Sequence, residues 1–399
     1  MNDMNTAPIK IGYSMSLTGA LGANGQSALL AHRIWAEDVN GSGGLLGRPV
    51  ELVCVDDETD GSKVAGIYLR LLDVEHVDLI LGGYGTNTLA PAMPLVIERQ
   101  RYFVGLMGLG VNSELKYPRY FVMIPTGPQP NSALTEGFFK LAAAQEPKPA
   151  TVAIVAADAE FSRNPIIGAR ENARSHGLEV VHERLYPLST TDYGPIVGEL
   201  EDVGAEILFL CSYLDDSIGL VRAIAASGYR PKMLGGGMIG PQTTPVKTVL
   251  GPLLNGLVNY DYWLPVPSMM FTGVKEMMDR YQARASAAGI DPLGYYMAPQ
   301  AYAQMQVVEQ AILATGGLED EALAEYTRQA RFDTVVGEVR FGAGGEWAKS
   351  RVVQVQFQNI ADNSVEQFKD ASTQVVVAPG ELASGDLIYP YPGPGRAGD

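Results

Sequence analysis

Residues 79–96 read LILGGYGTNTLAPAMPLV, and the way this stretch is read decides the fold. Leu79, Ile80 and Leu81 form a short apolar run of the kind that makes a buried strand, and it stops at Gly82 and Gly83. Tyr84-Gly85-Thr86-Asn87-Thr88 follows, and from Leu89 to Glu98 the apolar positions recur with helical spacing. Strand, glycine turn, helix is the unit from which parallel α/β sheets are built. The junction itself is unusual in carrying small hydroxyl and amide side chains and no charge.

Outward from this unit the same rhythm continues. Ile9–Ser14, Pro49–Val55, Val77–Leu81 and Tyr102–Leu106 read as strands. Helical patterns at Gly25–Val39, Lys63–Leu72 and Leu89–Glu98 separate them. After the Pro/Gly-rich interval IPTGPQPN the alternation restarts. Strands are expected at Thr151–Ala156, Glu179–Leu185, Ile207–Cys211 and Lys232–Leu234. Helices are expected at Pro165–His176, Tyr193–Val203 and Ile218–Ala226, closed by Gly177, Gly204 and Gly228. The fold class is therefore α/β, with two similar doubly wound lobes. A second crossing between lobes is expected near Val258–Asp261, followed by helices at Gly273–Ala288 and Tyr302–Ala314. Val335–Phe341 and Val352–Gln358 alternate as strands, and the ending PYPGPGRAGD is expected to fray.

The 399 residues suffice for two or three domains at about 100–200 residues each. Forty-five acidic against 29 basic residues leave a net charge of -16, which repels phosphate backbones and anionic bilayers and excludes nucleic acid as a natural partner. No apolar run is long enough to span a bilayer. MNDMNTAPIK lacks a basic segment followed by an apolar one, so either a secretory signal has been removed or the protein is cytosolic. Cys54 and Cys211 both lie in strand-like segments and read as small core residues rather than a disulfide.

Motifs for chemistry are scarce. GGGMIG, Gly235–Gly240, fits a dinucleotide-binding spacing, but Pro241 and Pro245 interrupt the helix such a site needs. A glycine loop lining a cleft is the better reading, and no cofactor is expected. His32, His76, His176 and His182 are scattered without metal-ligand spacing and are expected at surface or cap positions, so no metal is expected either. Asp56 and Asp57 end a strand, where capping the next helix is the expected role. Nothing points to an enzyme.

Ligand-type residues are better placed. Asn24 follows the first strand, Thr86–Thr88 the third, and Gly108-Leu109-Gly110 the fourth; in the second half Phe161 and Tyr213 follow strands. In open α/β sheets ligands sit at the carboxyl ends of strands. Tyr84, Phe161, Tyr213, Tyr295 and Tyr296 would suit an aromatic or apolar ligand body.

These stretches resemble the solute-binding proteins of branched-chain-amino-acid-type ABC transporters, which have the type I periplasmic-binding fold. IKIGYSMSLTGALGANGQ is similar to their opening strand and first ligand loop, and VNGSGGLLGRPVELVCVDDETD to their helix end, glycine turn and acidic strand end. LILGGYGTNTLAPAMPLV is similar to their third strand and anchor turn, and the likeness runs from about Ile9 to about Pro392. The resemblance implies a small molecule clamped between two lobes joined by three crossings, and a membrane permease as partner. It implies lobes of residues 1–125 plus 260–337 and 126–259 plus 338–399, in an extracytoplasmic, monomeric protein.

By the same resemblance Thr86 and Asn87 anchor the ligand carboxylate, Gly108 and Gly110 form the second anchor loop, and Phe161 and Tyr213 contribute rings from the other lobe. Amino-acid binders of the family place a hydroxyl at the position matching Gly110 and a carboxylate near that matching Gly237. Their absence here implies a carboxylate ligand without an α-amino group. Asp215 or Asp216 could substitute and would restore amino-acid binding. Thr59 stands where the best-known members carry a disulfide cysteine. A cytosolic sensor of small amides or organic acids on the same fold, and an enzyme on an α/β scaffold, stay open as alternatives.

Overall fold

A computed structural model describes residues 7–393. It divides into two compact units, Met1–Pro128 with Phe271–Ser350 and Gln129–Met270 with Arg351–Asp399. The changeovers at Pro128, Met270 and Ser350 come later than the crossings expected near residues 125, 259 and 337. In particular, Val258–Asp261 is a strand inside the second unit's sheet rather than a crossing.

The first unit opens with β1 (Ile9–Met15), α1 (Gly22–Gly41), β2 (Val50–Asp56), α2 (Gly61–Asp73), β3 (Leu79–Tyr84), α3 (Thr86–Glu98), β4 (Phe103–Met107) and β5 (Tyr120–Val122). The strands pair in parallel in the order β2-β1-β3-β4-β5. Every residue of β1 except Lys10 is buried, as expected for a strand covered on both faces. In α2 the buried residues are Val64, Tyr68 and Leu71, a stripe at four- and three-residue spacing. Burying each such side chain contributes about 1.5–3 kcal/mol.

The second unit repeats the plan. It contains α4 (Pro130–Ala143), β6 (Thr151–Ala157), α5 (Glu160–Ser175), β7 (Glu179–Tyr186), α6 (Gly194–Val203), β8 (Ile207–Ser212), α7 (Asp215–Ala226), β9 (Met233–Met238), α8 (Thr244–Leu250) and β10 (Val258–Asp261). The chain then returns to the first unit as α9 (Val274–Ala285), α10 (Ala298–Thr315), α11 (Asp320–Gln329), β11 (Phe332–Thr334) and β12 (Gly337–Val339). It ends in the second unit with β13 (Val353–Phe357) and β14 (Gln374–Ala378). The second sheet runs β14-β13-β10-β9-β8-β6-β7, with β13 and β14 antiparallel to their neighbours.

Three local expectations are corrected. Val335–Phe341 is not one strand: Val335 and Val336 form the turn of the β11–β12 hairpin, closed by a Thr334 hydroxyl donating to the Gly337 carbonyl at 2.7 Å. Gly235, Gly236 and Gly237 of GGGMIG are not a loop, because they lie within β9, which is flanked by β8 and β10. Finally, Pro390–Gly393 does not fray. Tyr391 is buried and its N–H donates to the Lys232 carbonyl at 2.7 Å; the rest of PYPGPGRAGD lies outside the described residues.

Candidate functional site

In the first unit, β1 and β3 lie side by side while the chain leaves them toward opposite edges, so their carboxyl ends form the topological switch point at which open α/β sheets bind ligands. The loop after β1 is tied down by Asp56 and Asp57. Asp57 is fully buried and accepts the Ser14 hydroxyl at 2.7 Å, the Ser16 hydroxyl at 2.6 Å and the Thr59 N–H at 2.9 Å. Asp56 accepts the Leu17 N–H at 2.9 Å and the Thr18 hydroxyl at 2.7 Å. Neither caps α2; that role belongs to Asp60, which accepts the Ser62 N–H at 2.9 Å.

The turn after β3 needs Gly85. Its φ of 102° and ψ of 138° lie in a region only glycine populates readily, and its N–H donates to the Met107 carbonyl at 2.9 Å. The Gly85 carbonyl accepts the Leu89 N–H at 2.9 Å, so α3 begins at Thr86, three residues ahead of the apolar pattern. The helix has no side-chain N-cap and no acidic residue in its first turn. Thr88 donates back to the Tyr84 carbonyl at 2.8 Å, whereas the Thr86 hydroxyl oxygen accepts the Leu109 N–H at 3.0 Å. That bond fixes the Gly108–Gly110 loop against the helix start and leaves the Thr86 hydroxyl hydrogen to be donated elsewhere. Beside this turn Asn24, in the first turn of α1, donates to the Tyr84 hydroxyl at 2.9 Å, and the Tyr84 and Tyr296 hydroxyls stand 3.4 Å apart. Burial pushes the Tyr84 phenol up to about 12, so it stays neutral and hydrogen-bonding at physiological pH.

Behind β3 runs a buried polar chain that sequence reasoning missed. His32 is only 1% exposed, contrary to the surface role expected for it. Its Nδ1 is 3.0 Å from the Tyr13 hydroxyl and its Nε2 is 3.0 Å from Gln304 Oε1. Gln304 Nε2 donates to the Gly82 carbonyl at 2.9 Å and the Val104 carbonyl at 2.7 Å, bridging β3 and β4. With Oε1 left as the acceptor, His32 carries its proton on Nε2 and receives the Tyr13 hydroxyl at Nδ1. Burial lowers the imidazole pKa to about 4. The signal was a pair of glutamines, Gln300 and Gln304, one turn apart on a largely apolar helix.

In the second unit the equivalent switch point lies between β6 and β8. Phe161, in the first turn of α5, and Tyr213, just after β8, meet there edge to face with ring centroids 6.2 Å apart. Asp216 is buried at the start of α7 and committed: it accepts the Tyr186 hydroxyl at 2.6 Å and the Ser217 N–H at 3.1 Å. Asp215 is exposed. A Cβ at Gly237 would stand 2.9 Å from both the Phe209 ring and the Leu210 carbonyl, so a side chain there would enter the sheet's packing. Gly237 thus provides no position from which a carboxylate could reach a ligand, and the argument from its missing acid falls. Gly110 has a φ of 69°. Cys211 is buried, Cys54 half-buried, and both are free thiols. Among the described residues, no group of three or more His, Cys, Asp or Glu is placed to hold a metal, and no helix is long and apolar enough to cross a membrane.

Residues 8–361 match the periplasmic binding protein family, and the chain belongs to it. More particularly, it is similar to solute-binding proteins of the branched-chain-amino-acid type of ABC transporter. It is 24% identical over 365 residues to Leu/Ile/Val-binding protein homolog 8 of Brucella abortus, covering 88% of this chain and 89% of that protein. Its fold is similar to an R. palustris ABC transporter solute-binding protein in complex with benzoate (TM-score 0.76, 15% identity, 98% and 99% of the two chains). It is also similar to LivJ of Streptococcus pneumoniae in complex with isoleucine (TM-score 0.74, 15% identity, 96% and 100%). Proteins of this family bind small molecules outside the cytoplasm and work with a membrane permease.

Proposed function

We propose that this protein binds a small organic carboxylate without an α-amino group, with an aromatic or apolar body, and delivers it as a monomer to its permease. The observation that carries the reading is the Leu109 N–H donated into the Thr86 hydroxyl oxygen, which leaves Thr86 to act as a donor at an uncapped helix start. A helix N-terminus carries about half a positive charge, so an anion is held there without lysine or arginine. In this reading Thr86 and Asn87 hold the carboxylate, Gly108 and Gly110 allow close backbone approach, and Asn24, Tyr84 and Tyr296 border the ligand body. The Phe161 and Tyr213 rings supply an apolar surface at the second unit's switch point.

An ammonium is poorly provided for. Asp216 is engaged, Gly110 has no side chain, and Asp215 is exposed. A thermal-shift screen tests the reading, because ligand at about a hundred times its dissociation constant stabilises by about 2.7 kcal/mol. Benzoates and short aliphatic acids are expected to raise the melting temperature more than leucine, valine or phenylalanine. The reverse order would refute the proposal.

A further inference from the structure

Tyr213 stands in the short link between β8 and α7, and both of its backbone polar groups are held there. Its carbonyl accepts the Ser217 hydroxyl and, at 3.1 Å, the Gly240 N–H. Gly240 comes this close only because it has no side chain. A Cβ there would stand 2.5 Å from Ser217 and 2.8 Å from the Tyr213 carbonyl oxygen. The Tyr213 N–H donates to the carboxylate of Asp216.

That carboxylate does more than hold Tyr213. It is buried and also accepts the Tyr186 hydroxyl at 2.6 Å and the Ser217 N–H at 3.1 Å. Tyr186 is the last residue of β7, and its carbonyl accepts the Asp158 N–H at 2.8 Å, just ahead of the helix that carries Phe161. Asp216 is thus connected to the loops that present both rings of the edge-to-face pair. Capping α7 does not account for this. Asp216 is already the second residue of the helix, and its bonds to Tyr213 and Tyr186 lead out of it. Burying a carboxylate is costly unless donors surround it, and here the donors belong to the groups that set the rings.

We infer that Asp216 is a positioning residue: it fixes the backbone of Tyr213 and through it the ring that meets the apolar body of the ligand. The inference rests on the reading under Proposed function, in which the Phe161 and Tyr213 rings border the ligand. Its sign separates it from a simple charge effect. Removing a negative charge near an anionic ligand would tighten binding, whereas releasing the ring weakens it.

The test is a double-mutant cycle by calorimetry with 3-phenylpropanoate on the intact protein, Asp216→Ala, Tyr213→Ala and the double variant. Tyr213→Ala should lower affinity about tenfold, the loss of an aromatic contact. Asp216→Ala should lower it about threefold or more, but by less than about twofold once Tyr213 is alanine, because the ring it positions is gone. Asp216→Asn keeps an oxygen for the backbone N–H groups and can turn its amide N–H toward the Tyr186 hydroxyl, so it should restore affinity to within about twofold of wild type. Tyr186→Phe, which frees the carboxylate from β7, should weaken binding only while Tyr213 is present, and it takes the place of Asp216→Ala in the cycle if that variant does not fold. Additive losses, unchanged or tighter binding by Asp216→Ala, or no rescue by asparagine would overturn the assignment. If 3-phenylpropanoate does not bind the wild type, or Tyr213→Ala leaves its affinity unchanged, the reading of the site fails and the inference falls with it.

Discussion

Thr86 joins an uncapped helix start to the neighbouring loop through a hydroxyl that accepts one bond and can donate another. Thr86→Ala should cost about 1.5–3 kcal/mol of binding, the usual worth of a hydrogen bond to a charged group, so carboxylate affinity should fall about tenfold or more in a calorimetric titration. Because the Leu109 N–H loses its acceptor, the unliganded protein should stay folded but lose about 1–3 kcal/mol of stability; unchanged affinity would show that the anchor lies elsewhere. Asp57 makes the opposite prediction. It receives three donors in full burial, so Asp57→Ala should destabilise the fold by about 3 kcal/mol in urea unfolding, since stranded donors each cost about 1–3 kcal/mol. A loss below about 1 kcal/mol would mean that the loop re-pairs its donors. The sequence singled out both residues, and Asp57 does not cap α2 as expected. Ser14 lies in β1 and Ser16 just past its end, and the parallel register sets Met15 beside Asp56. That pairing, absent from any local pattern, decides which donors the two acids receive.

Among the elements, α3 and β9 show where local patterns give way to tertiary context. Hydroxyl and amide residues are weak helix formers, so the pattern seemed to start at Leu89, yet the Gly85 turn closes the first helical bond and draws Thr86–Thr88 into α3. The Gly235–Gly237 run has little intrinsic strand preference, but two flanking strands supply its ladder. The strands at Ile9–Ser14, Thr151–Ala156 and Ile207–Cys211 were legible because buried parallel strands are nearly continuous apolar runs. The Gln304 bridge was not, since its partners come from β3, β4 and α1. Gln304→Leu strands two carbonyls and the His32 N–H, so stability should fall by about 3 kcal/mol or more in denaturant titration. Loss of less than about 1 kcal/mol would show that the bridge is dispensable.

Over the whole molecule, one plan is used twice: β2-β1-β3-β4-β5 in the first unit is echoed by β7-β6-β8-β9-β10 in the second, and the predicted ligand residues follow the central strands of both. Two buried groups give the chain a readable pH response. The His32 pKa falls from 6.5 to about 4, chiefly through burial, so the unfolded chain binds that proton more tightly. Its contribution of about 3 kcal/mol is complete above pH 6.5 and is lost as pH falls toward 4. Asp261 behaves oppositely. Burial raises it from 3.8 to about 6, so its contribution is complete below pH 3.8 and is lost as pH rises through 6. The stability difference between wild type and His32→Phe should therefore shrink from pH 6.5 to pH 4; a constant difference would show that His32 does not titrate with folding. The central claim, a carboxylate held at Thr86 in a site that provides poorly for an ammonium, is met most directly by a pair of ligands differing only in the α-amino group. Calorimetric titration with 3-phenylpropanoate and with phenylalanine should show the plain acid binding more tightly by on the order of a hundredfold, the cost of a poorly paired charged donor. Equal affinity, or tighter binding of phenylalanine, would contradict it.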